Sequence, residues 1–339
     1  MTWARGALIT LAVAAVATGC GAQARPAARL VYAMTPDRMD LAGLHGWIWS
    51  AHTDGSHPVR LVRGTDPALS PNGMWIAFAR KTRASATVDL VRADGGARRV
   101  LHTIQRARAL IGRPVWAPDS RLIVVSEWDG RSEALALVDA ATGARTVIAR
   151  SGRLEGPGRA SFSPDSRLVA YETDSPTGGN IFVYDIADRL TTQITHDRRA
   201  MDPLWGPRWI AYSEASAGGT GDVWLMRGNG RDKHRLTHTH SGIEPDAWST
   251  DGTRMLADNP ATHNGRLWAV DVRTGGARPI TPWIGDLFAQ GLSKDGTTIL
   301  AAIGCGGMPE SFGVLETLRF AGGSPHVIAR GPCRGSWNG

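Results

Sequence analysis

Three features of the sequence predict an all-β fold built from repeated antiparallel hairpins. A short motif recurs along the 339 residues, and turn-forming glycine and proline are abundant, with 41 and 19 copies. No segment sustains the i, i+3, i+4 apolar spacing of an amphipathic helix. The composition, 42% hydrophobic and 20% charged, is typical of a folded protein. The repeat itself indicates which all-β architecture is formed.

The repeated motif joins an aromatic residue or leucine, a turn resembling Ser-Pro-Asp-Gly, and a short apolar stretch. Its serine position falls at residues 70, 117, 163, 206, 249 and 293, an interval of about 43–47 residues that is typical of propeller blades. A shortened copy occupies Trp205–Tyr212. The five complete copies are Leu69–Phe78, Trp116–Val125, Phe162–Tyr171, Trp248–Ala257 and Leu292–Ala301.

Each repeat contains two hairpins and therefore four strands, which we call A to D. Proline presets the first turn residue, and glycine adopts the left-handed conformation, so the motif predicts a tight hairpin between A and B. Apolar alternation and a Gly-bearing turn predict a second hairpin between C and D. Examples of this second hairpin are Val88–Leu101, Ile181–Ile194 and Leu267–Ile280.

The two kinds of hairpin occur in unequal number, which bears on the count of blades. An additional C–D hairpin, Gly46–Val62, follows a B-like stretch at Leu30–Met34 but has no strand A before it. The segment Arg334–Trp337 resembles a strand A that ends after its aromatic residue. The sequence thus predicts a β-propeller of four-stranded antiparallel blades closed by the C-terminal strand. Seven blades are favoured, with six as the alternative.

The period and the Ser-Pro-Asp-Gly turn before an apolar strand B resemble the TolB-like, WD-repeat-like propeller family of bacterial exported proteins. The resemblance covers about residues 29–339. It implies an envelope protein, since the family includes a periplasmic Tol–Pal component, propeller modules of prolyl-oligopeptidase-type peptidases, and lipoproteins with undefined partners.

The first residues are typical of an export leader. Arg5 precedes an apolar run, Ala7–Ala17, that is too short to span a bilayer. The following Thr-Gly-Cys resembles a lipobox, which predicts lipidation at Cys20; cleavage after Ala22-Gln-Ala24 is the alternative. The predicted organisation is a lipoprotein-type signal peptide at 1–19, a short tether at 20–28 and a single propeller at 29–339. An exported, lipid-anchored protein on the outer face of the cell membrane or in the periplasm is expected.

Two further cysteines, Cys305 and Cys333, predict a disulfide, because an exported protein folds in an oxidising compartment. Cys305 is expected at the end of strand B of the last blade, and Cys333 at the start of the closing strand A. Both positions lie on one face of the ring. A bridge there would stabilise the closure by roughly 3 kcal/mol in the chain-entropy model.

Charge and motifs argue against two classes of function. The net charge of +7 is spread over scattered arginines without interleaved aromatic residues, so no nucleic-acid partner is expected. A prolyl-oligopeptidase-type enzyme needs a hydrolase domain with Gly-x-Ser-x-Gly. Neither that domain nor a nucleophile motif is found, and the chain is predicted not to be an enzyme. No cofactor is predicted.

Charged residues at the start of strand A mark a candidate ligand site at the channel mouth. Aligning the repeats places these acids and arginines around one opening: Asp66, Arg113, Arg159, Asp202 and Glu244. They could bind a polar ligand or pair with one another. His238 and His240 share one side of an extended segment and form a candidate metal site, with a solvated loop as the alternative.

The aromatic residues before each turn are expected to pack between blades rather than to stack on carbohydrate: Trp116, Phe162, Trp205, Trp248 and Trp337. The predicted function is a monomeric, envelope-anchored, noncatalytic module. It would bind an envelope protein, a peptide, a cell-wall polymer or a smaller ligand. The alternative is a propeller enzyme or a small-ligand or metal sensor that uses the channel-mouth carboxylates.

Overall fold

Seven antiparallel sheets of four strand positions each make up the fold, which confirms the predicted propeller and the count of seven blades. The computed structural model describes residues 29–34, 46–152, 156–174, 178–214, 221–259, 265–284, 287–293, 295–303, 313–330 and 332–337. In every blade, strands A to D follow one another as neighbours in the sheet. In the third blade, two short segments share the position of strand A.

The strands are numbered in chain order, and blade 1 takes its strand A from the last one. Blade 1 contains β1 (Arg29–Met34), β2 (Trp47–His52), β3 (Val59–Arg63) and β29 (Pro332–Trp337). Blade 2 contains β4 (Thr65–Leu69), β5 (Trp75–Lys81), β6 (Ala86–Arg92) and β7 (Arg98–Ile104). Blade 3 contains β8 (Leu110–Ile111), β9 (Val115–Trp116), β10 (Leu122–Trp128), β11 (Glu133–Asp139) and β12 (Arg145–Arg150).

The remaining blades follow the same order. Blade 4 contains β13 (Gly156–Phe162), β14 (Leu168–Asp174), β15 (Asn180–Asp185) and β16 (Leu190–Gln193). Blade 5 contains β17 (Ala200–Trp205), β18 (Ile210–Glu214), β19 (Asp222–Met226) and β20 (His234–Arg235). Blade 6 contains β21 (Glu244–Trp248), β22 (Arg254–Asn259), β23 (Arg266–Asp271) and β24 (Ala277–Pro279). Blade 7 contains β25 (Leu287–Leu292), β26 (Thr298–Ile303), β27 (Val314–Arg319) and β28 (His326–Arg330).

The ring is closed by pairing between the two ends of the propeller. Strand β29 runs antiparallel to β1, with Trp337 opposite Leu30 and Arg334 opposite Ala33. The strands A of neighbouring blades also contact one another around the whole ring, from β29 to β4 and finally from β25 to β29. Strand A is therefore the innermost strand of each blade, and its first residues surround the channel mouth.

The hydrophobic core is divided into seven clusters, each at the interface between two successive blades. Between blades 1 and 2, for example, Val31 and Ile48 pack with Ile76 and Phe78, and all four are buried. Strand B contributes to the cores on both of its faces, which explains its continuous run of apolar residues.

The Ser-Pro-Asp turn forms its own network of hydrogen bonds. In blade 4, the Ser163 hydroxyl donates to Asp165 Oδ1 at 2.6 Å, and Leu168 N–H donates back to Ser163 Oγ at 2.9 Å. The left-handed position holds glycine in three copies, as at Gly252 with φ of 69°, but serine in two, as at Ser166 with φ of 61°. In those two, the serine hydroxyl accepts a backbone N–H from the preceding blade's turn; Asp119 N–H donates to Ser166 Oγ at 3.0 Å.

Four of the aromatic residues before the turns pack between blades, as expected: Trp116, Phe162, Trp205 and Trp248. Trp116 is buried, and its Nε1–H donates to the carbonyl of Ala68 in the preceding blade at 2.9 Å. Trp248 makes the same bond to Leu204 at 3.1 Å. Phe162 and Trp205 also belong to interblade clusters. The two tryptophans thus join neighbouring blades through both apolar area and a hydrogen bond.

Several predicted features lie outside the described residues. The leader, the tether and Cys20 are among them, and so is Cys305; Cys333 lies in β29. Lipidation and the disulfide therefore remain predictions. No helix in the described part of the chain has the length and hydrophobicity to cross a membrane.

Replacing Trp116 by alanine is expected to lower the free energy of unfolding by about 3–5 kcal/mol, because the change removes a buried indole and leaves the Ala68 carbonyl without its donor. Urea denaturation followed by circular dichroism measures the loss. Trp283→Ala is the matched control, since Trp283 is 48% exposed. Equal losses in the two variants would show that Trp116 does not join the blades.

Candidate functional site

Bulges at the start of strand A shape the channel mouth. The pairing of strands A and B shifts register in blades 2, 4, 5 and 6, close to the residues predicted to form the site. Asp66 and Asp202 adopt the left-handed conformation there, with φ of 52° and 55°. A bulge turns side chains away from the regular alternation. Strand A thus directs polar side chains at its beginning toward the mouth.

A cavity of 1170 Å³ lies at this mouth. One wall comes from blade 3, where the apolar Leu110, Val115 and Trp128 lie with the charged Arg113, Glu127 and Glu133. A second, charged wall comes from blades 4 to 6, where Arg159, Asp202, Asp246 and Asp258 contribute. Small-molecule pockets usually measure about 300–1,000 Å³, so this cavity can hold an extended ligand. We call it the channel cavity.

Arg159 is the central cation of the charged wall. Its Nε lies 3.2 Å from Asp202 Oδ1, and its Nη2 lies 3.6 Å from Glu244 Oε2. More than half of its side chain, 55%, is exposed to solvent in the cavity. Burial alone would lower the pKa of Arg159, but the charges of Asp202, Glu244 and neighbouring carboxylates raise it above its ordinary value. Arg159 therefore stays charged and organises the acids around it.

Glu172 connects blades 4 and 5 beneath this ion pair. Its Oε1 accepts the backbone N–H of Arg159 at 2.9 Å, and its Oε2 accepts the backbone N–H of Asp202. The Ser213 hydroxyl donates to Asp202 Oδ2 at 2.7 Å. Burial, followed by the nearby charge of Asp202, raises the pKa of Glu172 to about 7. Glu172, which supports the bulges, thus has a pKa close to neutral pH.

Three further carboxyl groups have raised pKa values. Burial and the charge of Asp202 raise the pKa of Glu244 to about 7. Burial raises the pKa of Asp246, against the opposing effect of Arg159 and Arg113. Burial and Asp246 raise the pKa of Asp258 well above its ordinary value. Five carboxyl groups thus share one region with two arginines, and some of them retain protons at neutral pH.

The structure brings together most of the residues predicted for the site. Arg113, Arg159 and Asp202 line the channel cavity, and Glu244 joins them through Arg159. Asp66 lies at the equivalent place in blade 2 but is not part of the cavity lining. The predicted mouth is therefore asymmetric, because its carboxyl groups with raised pKa values all lie on blades 4 to 6.

The proposed histidine pair does not form a metal centre with neighbouring ligands. His238 and His240 are exposed, and His240 Nδ1 lies 3.3 Å from Arg235 Nη2. Asp222 is close but already accepts hydrogen bonds from Arg235 and the hydroxyl of Thr237. In the part of the chain that the structure describes, no three His, Cys, Asp or Glu side chains lie together so as to hold a metal ion.

The sequence interpretation did not assign Glu172, Asp246 or Asp258 to the channel mouth. Glu172 and Asp258 occupy the same position of the repeat, near the end of strand B, where other copies have alanine or serine. Asp258 Oδ2 accepts the N–H of Ala289 from the next strand A at 3.4 Å, much as Glu172 accepts that of Asp202. An acidic residue at a position that holds alanine or serine in the other copies was the sequence signal that could have identified Glu172 and Asp258.

No family model matches the chain. Two known proteins are similar over part of it. An uncharacterized peptidase, YuxL of Bacillus subtilis, is 30% identical over 105 residues, covering 28% of this chain and 16% of the relative. A TolB homolog of Chlorobium luteolum is 25% identical over 119 residues, covering 35% of this chain and 27% of the homolog. The chain thus matches less than a third of either relative's length.

Solved structures match the fold over most of the chain. TolB from Acinetobacter baumannii aligns with a TM-score of 0.60 at 19% identity, covering 87% of this chain and 79% of that one. A puromycin-hydrolyzing peptidase of Mycobacterium tuberculosis aligns with a TM-score of 0.67 at 14% identity, covering 89% of this chain and 52% of the peptidase. An oligogalacturonate lyase in complex with manganese aligns with a TM-score of 0.55 at 14% identity, covering 78% of this chain and 76% of the lyase.

The closed ring and its mouth cavity define the chain as a seven-bladed β-propeller with a charged channel opening. It shares this fold with the TolB structures and is 25% identical to a TolB homolog over 119 residues.

The prediction that the chain is not an enzyme is wrong. Peptidases and a lyase are among the structures with this fold, and one sequence relative is described as a peptidase. The puromycin-hydrolyzing peptidase is about twice as long as its region of similarity to this chain. The missing nucleophile motif therefore does not argue against catalysis.

Glu244→Gln is expected to make the protein more stable than the wild type at pH 8 and equally stable below the ordinary glutamate pKa of 4.5. The raised pKa means that folded Glu244 keeps its proton up to about pH 7, whereas the unfolded group loses it near 4.5. The wild type thus loses stability as the pH rises through this window. Melting temperatures measured across the window test this.

Glu133→Gln is the control, since Glu133 is an exposed glutamate that lines the same cavity. Its melting temperature should follow that of the wild type at each pH. If both variants show the same pH dependence as the wild type, the raised pKa of Glu244 is contradicted.

Proposed function

We propose that this propeller binds a positively charged peptide segment of an envelope protein in the channel cavity. The observation that carries the proposal is the grouping of five carboxyl groups around Arg159 and Arg113, three of which, Asp202, Asp246 and Asp258, line a cavity of 1170 Å³. Lysine or arginine side chains of a ligand would lie beside these acids and lower their pKa values. Binding would therefore release protons.

The other wall of the cavity supports a peptide rather than a simple amine. Leu110 and Val115 are exposed large hydrophobic residues there, and Trp128 lies beside them. A ligand that alternates basic and apolar side chains matches both walls at once. The size of the cavity suits an extended segment of a few residues.

We also propose that the protein is exported and held at the membrane through lipidated Cys20. The apolar run Ala7–Ala17 and the Thr-Gly-Cys that follows support this placement. Cys20→Ser should move the protein from the membrane fraction to the soluble fraction of the producing bacterium. Unchanged membrane association of that variant would rule out this anchor.

A second candidate function, proton-transfer catalysis, uses the same cavity. It is favoured by Glu244, whose pKa of about 7 makes it half protonated at neutral pH, and which lies beside an exposed arginine. Such a group can act as a general acid or a general base. Because a lyase and a peptidase have similar structures, glycans and peptides are the first substrates to test.

Calorimetric titration with acetyl-Leu-Lys-Leu-Lys-amide tests the binding proposal. We expect affinity to rise between about pH 6 and pH 8, with proton release seen as a difference between buffers of different ionisation enthalpy. Asp202→Asn should weaken binding about tenfold, as expected for the loss of one charged hydrogen-bonding group. Asp188→Asn, on an exposed turn of blade 4, should have no effect.

The matched acidic peptide, acetyl-Leu-Glu-Leu-Glu-amide, should not bind, and equal binding of both peptides would contradict the proposal. Incubating the protein with these peptides and with oligogalacturonate, followed by mass spectrometry, separates the two candidates. Product formation that is lost in Glu244→Gln while peptide binding persists would establish catalysis as the function.

A further inference from the structure

A second cavity, of 320 Å³, lies between blades 2 and 3. It forms where the end of β7 meets the end of β10, the start of β11 and strand β12. A water molecule in the liquid takes about 30 Å³, so the space can hold a small polyatomic ion with part of its hydration shell. The charged and titratable side chains of its lining are His102, Arg106, Glu127, Asp129, Arg145 and Arg150. We call it the interblade cavity.

Glu127 is buried at the back of this cavity and is neutralised by one arginine. Arg145 Nε lies 2.9 Å from Oε1 and 3.2 Å from Oε2 of Glu127, and its Nη2 also donates to Oε2. Only 4% of the Glu127 side chain is exposed. A two-pronged guanidinium–carboxylate pair of this kind is both directional and charge-balanced. Glu127 therefore adds little repulsion toward an incoming anion.

The second acid, Asp129, is occupied by its own turn. Its Oδ1 accepts the backbone N–H groups of Arg131 and Ser132, both at 2.9 Å. These bonds lower the pKa of Asp129, with a smaller contribution from the charge of Arg106. The carboxylate thus stabilises the loop at the edge of the cavity and forms no ion pair within the described residues.

Arg106 and Arg150 leave positive charge at the opening. Both are exposed, and in the described part of the chain neither guanidinium has an ion pair or hydrogen bond. Three arginines and two carboxylates line the cavity, which leaves one net positive charge when His102 is neutral. Two guanidinium groups from different blades therefore face a recessed polar space with their donors available.

His102 adds a titratable group to the same wall. Its Nε2 lies 3.5 Å from Glu127 Oε1, and its side chain is 22% exposed. Burial lowers the pKa of His102, Glu127 raises it, and Arg145 lowers it. Arg106, Asp129 and Arg150 are the other charged groups around it. An anion in the cavity would add negative charge next to the imidazole and favour its protonated form.

The geometry points to the interblade cavity as a binding site for a tetrahedral oxyanion, a sulfate or phosphate group held by Arg106 and Arg150 against the Arg145–Glu127 pair. This site lies between blades 2 and 3, whereas the proposed peptide site lies at the channel mouth, and Glu127 lines both cavities. Protonation of His102 strengthens binding, so affinity for the anion increases as the pH falls.

Sulfate is the probe of choice because its charge does not change between about pH 5 and pH 8. Titration of the full chain with sodium sulfate, against sodium chloride at equal ionic strength, should give saturable binding by calorimetry. Arg106→Gln and Arg150→Gln should each weaken it about tenfold, as expected for the loss of a charge-assisted hydrogen bond. The control Arg131→Gln removes a neighbouring exposed arginine that does not line the cavity and should bind normally.

The pH dependence gives an independent measurement. Sulfate affinity of the wild type should rise as the pH falls from 7 to about 5, and His102→Gln should abolish that rise. Sedimentation with phosphatidylglycerol vesicles identifies the source of the anion: Arg150-dependent vesicle binding indicates a lipid headgroup, and binding of sulfate alone indicates a free ion. If neither sulfate nor vesicle binding changes in Arg106→Gln and Arg150→Gln, the site does not exist.

Discussion

A blade of this propeller has two hydrophobic faces and can bury them only against its two neighbours. Each of the seven core clusters lies between blades, and strand B is apolar on both sides. An open row of blades would expose one such face at each end. Pairing of β29 with β1 removes both exposed ends, so every interblade contact gains from the closure of the ring.

The same closure concentrates charge at the channel mouth. Strands A converge on the axis, and their bulges direct polar side chains into a narrow opening. Glu172 and Asp258 accept backbone N–H groups of the next strand A, so the acids that support the bulges lie beside the acids that line the cavity. Burial together with crowding of this kind raises carboxyl pKa values, and both arise from the arrangement of the blades rather than from any one of them.

The sequence predicted the blades well because their determinants are local. Turn chemistry and the interval between repeats gave strands A to D, and the truncated strand at Trp337 gave the closure. Alignment of the repeats also placed Arg159, Asp202 and Glu244 at the mouth. It missed Glu172 and Asp258 because strand B was treated as uniformly apolar. Which side chains meet across blades depends on the twist of the sheets and on side-chain size. The spacing of the repeats along the sequence gives no information about either.

The pairing of Leu30 with Trp337 also has a consequence for how the protein folds. These partners lie at opposite ends of the propeller sequence. Their contact therefore requires closing a loop that contains blades 2 to 7. Blade 1 cannot complete its sheet until the last strand has been synthesised. Long-range contacts of this kind slow folding, since chain entropy is lost before the contact is gained. Blades 2 to 7, each continuous in sequence, are able to form first, which makes ring closure the last and most delayed step.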